Sequence, residues 1–512
     1  MHFLSVLLLT AAAFAQPTVS LPGLNVRTVA SGLSNPTSLA FLGNSTDFLV
    51  LEKNTGRVRY FENGQLQNIA LDLAVNNASE RGLLGIAVHP RFPQENAIFL
   101  YWTCVAVEPA PAWTPGQPPP AFVQPQMSCA DSNRLGADSS DILRVPVLGN
   151  RVDRFRWNPD THTLTYDSNL ISLRAFQNDG TPNPMGSGPA QPPRGNHNGG
   201  VLRFSDDGRL FVYVGDAGRR GLLQNLAQGP NNGASDDQFG GPAPDDAHLS
   251  GVILRLNTDG SAPVDNPFYF PGAQLGGSAG LNLQKVYAYG IRNGFGMAID
   301  PATGDPWITE HGDDAFDEIN RVRRGMNGGW VQLAGPSSRY SQFRDIENTF
   351  LNPQEMFPSL QQWRFPPSQL AEVESQARAR LVMLPGSQYV DPEFSWKYSA
   401  LPNSLAFVQG SALGPDLENT LLVSLAGRPM SPGYLLRFPV IPGQGILRLD
   451  DPNLQDRVAD NYTKYDLTES ESLIIGSGFG IATDMRTSPT GSVYIVSFSN
   501  GKIYEIFRAI PL

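Results

Sequence analysis

Residues 193–216 read PRGNHNGGVLRFSDDGRLFVYVGD. A polar, glycine-rich loop leads into a short apolar run. A Ser-Asp-Asp-Gly turn reverses the chain, and a second, more strongly apolar run ends on Asp216. With GVILRLN at 251–257 this makes a strand-turn-strand-turn-strand phrase. The phrase recurs. Its first copy is NPTSLAFLGNSTDFLVLEKNTGRVRYF (35–61); its second is ERGLLGIAVHPRFPQENAIFLYWT (80–103), completed by DILRVPV (141–147). The stretch at 193–216 opens the third. The fourth is IRNGFGMAIDPATGDPWITEHG (291–312) with DEINRVR (317–323). The fifth is LPNSLAFVQGSALGPDLENTLLVSLAG (401–427) with GYLLRFPV (433–440), and the sixth is GFGIATDMRTSPTGSVYIVSFSNGKIYEIF (478–507).

One such unit leaves a sheet face in water, whereas six stacked radially cover one another. The repeat predicts an all-β chain, a six-bladed β-propeller with loop insertions on one face. A β-sandwich is the alternative, but it gives no reason for the matched order of elements. Insertions fall at about 105–140, 172–195, 218–248 and 331–395. The last contains SQLAEVESQARARLVML (368–384), the best helix by propensity. No linker marks off a second domain, so 16–512 reads as one propeller domain.

Composition agrees: 51 Gly and 43 Pro among 512 residues suit many short strands joined by turns, and 41% apolar content suffices for a large interior. The formal charge of -11 comes without a basic stripe, which argues against a nucleic-acid partner. Residues 1–15 carry an apolar core ending Ala-Phe-Ala and read as a signal peptide cleaved after about Ala15. That run is too short to span a membrane and none like it follows, so the expected location is secreted and extracellular. Sequons at Asn44, Asn77 and Asn461 are compatible with glycosylation. The two cysteines, Cys104 and Cys129, flank a proline-rich stretch. They are expected to pair in an oxidising compartment, worth about 3–4 kcal/mol in the chain-entropy model; two buried thiols are the alternative.

Polar residues at equivalent phases of the repeat should meet at one end of the central channel. Before first strands these are Glu80-Arg81, Asn196-His197-Asn198, Arg292-Asn293 and Asn403. After second strands they are Glu52-Lys53, Asp216, Glu310-His311 and Arg428. A histidine oriented by a carboxylate is a general base near neutral pH, and His197 with Asp216 fits that pattern; a mere loop hydrogen bond is the bland alternative. Arg292 offers a fixed guanidinium for a carboxylate or a developing oxyanion, or else an ion pair between blades. His311 is a further candidate, His89 reads as structural, and His162 and His248 lie in loops without evident partners. Besides Glu310, EHGDDAFDEIN (310–320) carries Asp313, Asp314, Asp317 and Glu318. Hard cations want such oxygens, although EF-hand spacing is absent; bonding to backbone amides is the alternative for these acids. Asp236-Asp237 and Asp245-Asp246, in an insertion, read as solvated charge, with a second cation site as the alternative.

The chain resembles the soluble quinoprotein glucose and sorbosone dehydrogenase family, and within it most nearly the fungal secreted PQQ-dependent pyranose dehydrogenases. The carrying motifs are ERGLLGIAVHPRF, HNGGVLRFSDDGRLFVYVGD, LSGVILRLNTDGSAPVDNPF, YGIRNGFGMAIDPATG, EHGDDAFDEINRV and SPTGSVYIVS, running in order from about 35 to 507. The resemblance implies a six-bladed propeller holding PQQ and Ca²⁺ at the channel mouth, with a small sugar as substrate and an external electron acceptor. It implies His197 as base, Asp216 as its orienting acid, Arg292 beside the reactive quinone carbonyl and Asn293 in contact with the cofactor. It gives the backbone carbonyls of Gly312 and Asp313 to calcium, and Trp396 to the sugar face; a packed tryptophan is the alternative there. The chain departs from the family where the glucose enzymes clamp the quinone carboxylates. Ala426 stands at the lysine position, and Ile481 and Thr483 replace an arginine pair. Lys53, Arg81 and Arg428 are the replacement cations on this reading. Two rival functions keep the same fold: a calcium-dependent lactonase with carboxylate ligands in the channel, and a sugar-binding propeller without catalysis.

Overall fold

The computed structural model describes residues 16–104, 149–175, 196–216, 249–349, 370–426 and 432–509. Six sheets follow one another along the chain, each built on four antiparallel strands. Their first strands are Pro36–Phe41, Leu83–Val88, Leu202–Phe204, Met297–Ile299, Pro402–Phe407 and Ala482–Thr487. The second strands are Phe48–Glu52, Ala97–Thr103, Leu210–Val214, Pro306–Glu310, Thr420–Leu425 and Val493–Ser497, and every residue in all six is buried. An antiparallel sheet with one wet face alternates apolar and polar residues. These strands do not alternate, because both of their faces are covered by neighbouring sheets.

An apolar seam fills each junction. Sheets one and two share Leu51, Leu71, Ile98 and Trp102, and sheets two and three share Phe99, Val152, Val212 and Leu254. Tyr213 meets Ile308 between three and four, Trp307 meets Leu421 between four and five, and Leu422 meets Ile495 between five and six. Phe48 and Val50 of the first sheet pack on Tyr494 and Val496 of the sixth. Each first strand also contacts the next sheet's first strand, and the sixth contacts the first. The outermost strand of the sixth sheet is the N-terminal segment Leu24–Ser31, paired antiparallel with Lys502–Arg508, so the two ends of the chain share one sheet.

The axis where the first strands meet is bridged by charge. Arg203 Nη2 pairs with Asp484 Oδ1 at 2.6 Å, while Ser38 Oγ and Arg486 Nε donate to Asp484 Oδ2. Burial pushes Asp484 toward protonation, but Arg203 and Arg486 outweigh it and hold the carboxyl below its usual range.

Two expectations are corrected. The third strand of the second sheet is Gly149–Asn158, whereas DILRVPV lies outside the described residues. The helix expected over 368–384 is confined to Glu374–Ala379. Two short helices that the repeat did not signal, Tyr269–Leu275 and Gly277–Leu283, follow the third sheet's third strand. No helix among the described residues is long and apolar enough to cross a membrane. The expected signal peptide, 1–15, lies outside the described residues.

Candidate active site

The loop before the third sheet lies against the end of that sheet's second strand. His197 adopts a positive φ of 55°, followed by Gly199 at 61°. A Cβ on Gly199 would stand 2.5 Å from the Tyr213 carbonyl oxygen, and one on Gly215 would stand 2.3 Å from that of His197. Only glycine allows so close an approach. It brings His197 Nδ1 to 2.5 Å from Asp216 Oδ1. Trp330 Nε1 donates to the other carboxylate oxygen at 2.9 Å, and the Asp216 amide donates to the Arg292 carbonyl at 2.7 Å. Asp216 is fully buried and offers only acceptors, so Nδ1 carries the hydrogen and the ring's lone pair lies on Nε2. Nε2 has no hydrogen-bond partner among the described residues.

Glu80 holds this loop from the second sheet. Its Oε2 accepts the His197 amide at 2.8 Å and Asn293 Nδ2 at 3.1 Å. Arg292 is equally constrained. Its amide donates to Glu310 Oε1, its Nη1 to the His311 carbonyl, and its Nη2 pairs with Asp313 while the guanidinium lies over Trp330. Burial disfavours its charge, but Asp313, then Asp216 and Glu347, outweigh that and raise its pKa. Arg292 Nε and Asn293 Oδ1 are buried without hydrogen-bond partners among the described residues. His311 does not share the role of His197: its Nε2 is engaged by the Pro402 carbonyl, and burial holds its pKa down against the pull of Asp317.

The turn after Glu310 is fixed from below. Asp317 Oδ1 accepts the Gly312 amide, and its Oδ2 accepts the Ser399 hydroxyl and the amides of Ala400 and Leu401. Glu347 Oε1 accepts the amides of Asp314 and Ala315. Burial, then Asp313 and Asp314, push the Glu347 carboxyl up to about 8. The Gly312 carbonyl accepts no hydrogen bond among the described residues, and that of Asp313 accepts Lys464 Nζ at 3.0 Å. No three His, Cys, Asp or Glu side chains are grouped to hold a metal among the described residues. A hard cation at this turn would meet backbone oxygens rather than a side-chain cage.

Next to this cluster a cavity of about 240 Å³ lies on the axis. Every sheet gives it a residue from its first strand or the approach to it: Thr37, Leu84, Val201, Phe295, Asn403 and Thr483. Asn403 Nδ2 is buried there without a hydrogen-bond partner among the described residues. The charged lining residues, among those described, are Lys53 and Glu80. Burial, then Arg81, lowers the pKa of Lys53 against the pull of Glu80, and its Nζ donates to Asn54 Oδ1 and the Asn77 carbonyl. Arg81 is buried beside it, with Nε on Asn76 Oδ1. Ile481 and Thr483 line the wall where the resemblance puts paired arginines, and Thr483 spends its hydroxyl on the Pro36 carbonyl. Arg428 and Cys129 lie outside the described residues, and Cys104 is fully buried at the end of its strand.

Two expected site residues are elsewhere. Trp396 is fully buried in the seam between sheets four and five, edge-on to Phe394 and Phe438, with Nε1 donating to Ser470 Oγ. It presents no face to a sugar, because its strand turns that side into the core. Trp396→Ala is expected to cost about 3–5 kcal/mol of stability, read as a fall in Tm, with KM for the sugar unchanged. Asn461 is also fully buried, its Nδ2 donating to three carbonyls, so it offers no acceptor for a glycan. Asn44 and Asn77 are exposed. Trp330, Glu347 and Lys464 complete the cluster without having been singled out, and Glu80 and Asp317, named among the polar candidates, take positioning roles not assigned to them. Glu80 stood in phase with the others, but Trp330 and Glu347 come from an insertion with no repeat phase to mark them.

The family model for glucose/sorbosone dehydrogenases matches residues 33–114 and 188–382, together more than half of the chain. The chain belongs to this family. It is 26% identical over 338 residues to the aldose sugar dehydrogenase YliI of Escherichia coli, covering 66% of this chain and 68% of that protein. It is 27% identical over 318 residues to the quinoprotein glucose dehydrogenase B of Acinetobacter calcoaceticus, covering 60% of this chain and 52% of that one. In fold it is similar to the PQQ-bound aldose sugar dehydrogenase of Streptomyces coelicolor, with a TM-score of 0.52, 19% identity, and coverage of 95% of this chain and 99% of that one.

Proposed function

We propose that this family member is a secreted, PQQ- and calcium-dependent oxidoreductase that oxidises the anomeric carbon of pyranose sugars or related aldoses and ketoses. It passes the electrons to an external acceptor. The observation that carries the reading is the His197–Asp216 dyad with its unengaged Nε2, tied to Arg292 through the Asp216 amide and to Glu80 of the cavity wall through the His197 amide. We read the six sheets as a closed six-bladed propeller formed by residues 16–512, supported by the six seams and by the N-terminal strand that completes the sixth sheet. Residues 1–15 serve as the signal peptide, Cys104 pairs with Cys129, and Asn44 and Asn77 carry glycans.

The unsatisfied Arg292 Nε, Asn293 Oδ1 and Asn403 Nδ2 fit a flat ligand with both donors and acceptors. Lys53 and Arg81, with Arg428, supply positive charge for the ligand's carboxylates. The carbonyls of Gly312 and Asp313 would hold the calcium. When bound, the quinone supplies the electron sink for C1. The chain does the rest. His197 Nε2 takes the proton of the anomeric hydroxyl. Asp216, itself held by Trp330, keeps the ring in the productive tautomer and balances the imidazolium as it forms. Arg292 faces the negative charge that develops at the acceptor end, from a position fixed before reaction. Glu80 couples the two halves by holding the His197 amide and the Asn293 side chain together.

The test is to add PQQ and Ca²⁺ to the purified protein and to follow sugar-dependent reduction of an artificial acceptor across a sugar panel. Turnover requiring both additions supports the reading; lactone hydrolysis without any quinone contradicts it. Lys53→Met is expected to weaken PQQ binding roughly 10–100-fold, the loss of one buried charge-assisted contact. Equilibrium dialysis measures this independently of turnover.

A further inference from the structure

The 312–315 turn already holds a cation. Lys464, from the loop that follows Asn461, reaches in from outside. Its side chain is 23% exposed, whereas that of Asp314, which it pairs with, is 2% exposed. The same Nζ donates at 3.0 Å to the Asp313 carbonyl, one of the two oxygens assigned above to calcium. Three acids with buried side chains belong to this turn or bond to it, Asp313, Asp314 and Glu347. Glu347 is fully buried, and its Oε2 has no hydrogen-bond partner among the described residues.

The turn's other cation cannot leave. Arg292 is locked by the His311 carbonyl, Asp313 and the face of Trp330, and it is nearly sealed from water. Lys464 differs on each point. An ammonium is a compact, strongly hydrated charge on a flexible four-carbon stem, and this one is already partly in solvent. A divalent ion on the Asp313 carbonyl would stand within a few ångströms of it, and two cations so close, in a site this poor in water, repel strongly. The carboxylates of Asp313 and Asp314 attract a divalent ion more strongly than a single ammonium.

We propose that Lys464 is an internal cation that competes with calcium for the 312–314 turn. Its ammonium holds the turn in the metal-free chain and swings into solvent when the ion binds. This rests on the calcium reading above, and the experiment separates the two. Calcium is titrated calorimetrically into the full-length protein with PQQ present, for wild type and for Lys464→Met. The variant is expected to bind calcium at least tenfold more tightly. Lysine acetylation of the wild type, mapped by mass spectrometry, provides a second readout that needs no variant: labelling of Lys464 is expected to rise several-fold when calcium is added. Equal or weaker calcium affinity in Lys464→Met, or labelling that calcium does not change, overturns the competition and leaves the calcium assignment standing. Calcium uptake by neither chain overturns both.

Discussion

His197→Ala is expected to lower kcat/KM for the sugar by about 10³, within the range that a positioned general base contributes. Folding should survive, because the imidazole makes a single hydrogen bond and belongs to none of the six apolar seams. The loop is held by its backbone, through the His197 amide on Glu80. The loss should appear in kcat, with quinone binding and Tm close to wild type. Steady-state kinetics on the reconstituted protein, alongside dialysis against PQQ, read all three. A variant retaining more than a tenth of wild-type kcat would mean that another group takes the proton.

Asp216→Asn tests the same dyad from its other side and is expected to cost a similar factor, about 10³, by the tautomer logic of carboxylate-oriented histidines. The native carboxylate accepts two donors, His197 Nδ1–H and Trp330 Nε1–H. An amide has one oxygen. If that oxygen faces Trp330, the new NH₂ faces Nδ1 and drives the ring hydrogen onto Nε2, which removes the base. If it faces Nδ1, two donors meet at Trp330 in a fully buried site. Either way kcat falls with little effect on quinone affinity. A nitrogen-detected NMR spectrum of the imidazole distinguishes the two tautomers directly. Wild-type kcat in this variant would show that Asp216 only packs.

The second strands made the fold legible. AIFLYWT, LFVYV and VYIVS are continuous apolar runs, the mark of strands covered on both faces, and six of them in a fixed order imply six stacked sheets. The outer strands left no such mark. Gln65–Asp72 starts with three exposed residues, and Leu24–Ser31 pairs with a segment at the opposite end of the chain, a partnership that no local pattern encodes. At the site, repeat phase was enough to bring His197, Asp216, Arg292 and Asn293 together, because the same turn of each unit reaches the same end of the axis. It had nothing to say of Trp330, Glu347 and Lys464, which arrive from insertions and loops, and Trp396, which the resemblance alone gave to the sugar, follows its packed alternative and enters a seam. The cavity wall is the most informative departure. Ile481 and Thr483 stand there instead of cations, and on the proposed function Lys53, from a different sheet, would meet the quinone's carboxylates.

A crystal structure of the protein loaded with PQQ and calcium tests the central claim most directly. The account predicts quinone density in the axial cavity lined by Leu84, Phe295, Asn403 and Thr483, in contact with Arg292 and Asn293, with His197 Nε2 open toward the same space. Calcium is predicted on the Gly312 and Asp313 carbonyls. Quinone bound away from His197 and Arg292, or a cavity that stays empty at saturating PQQ, would contradict it.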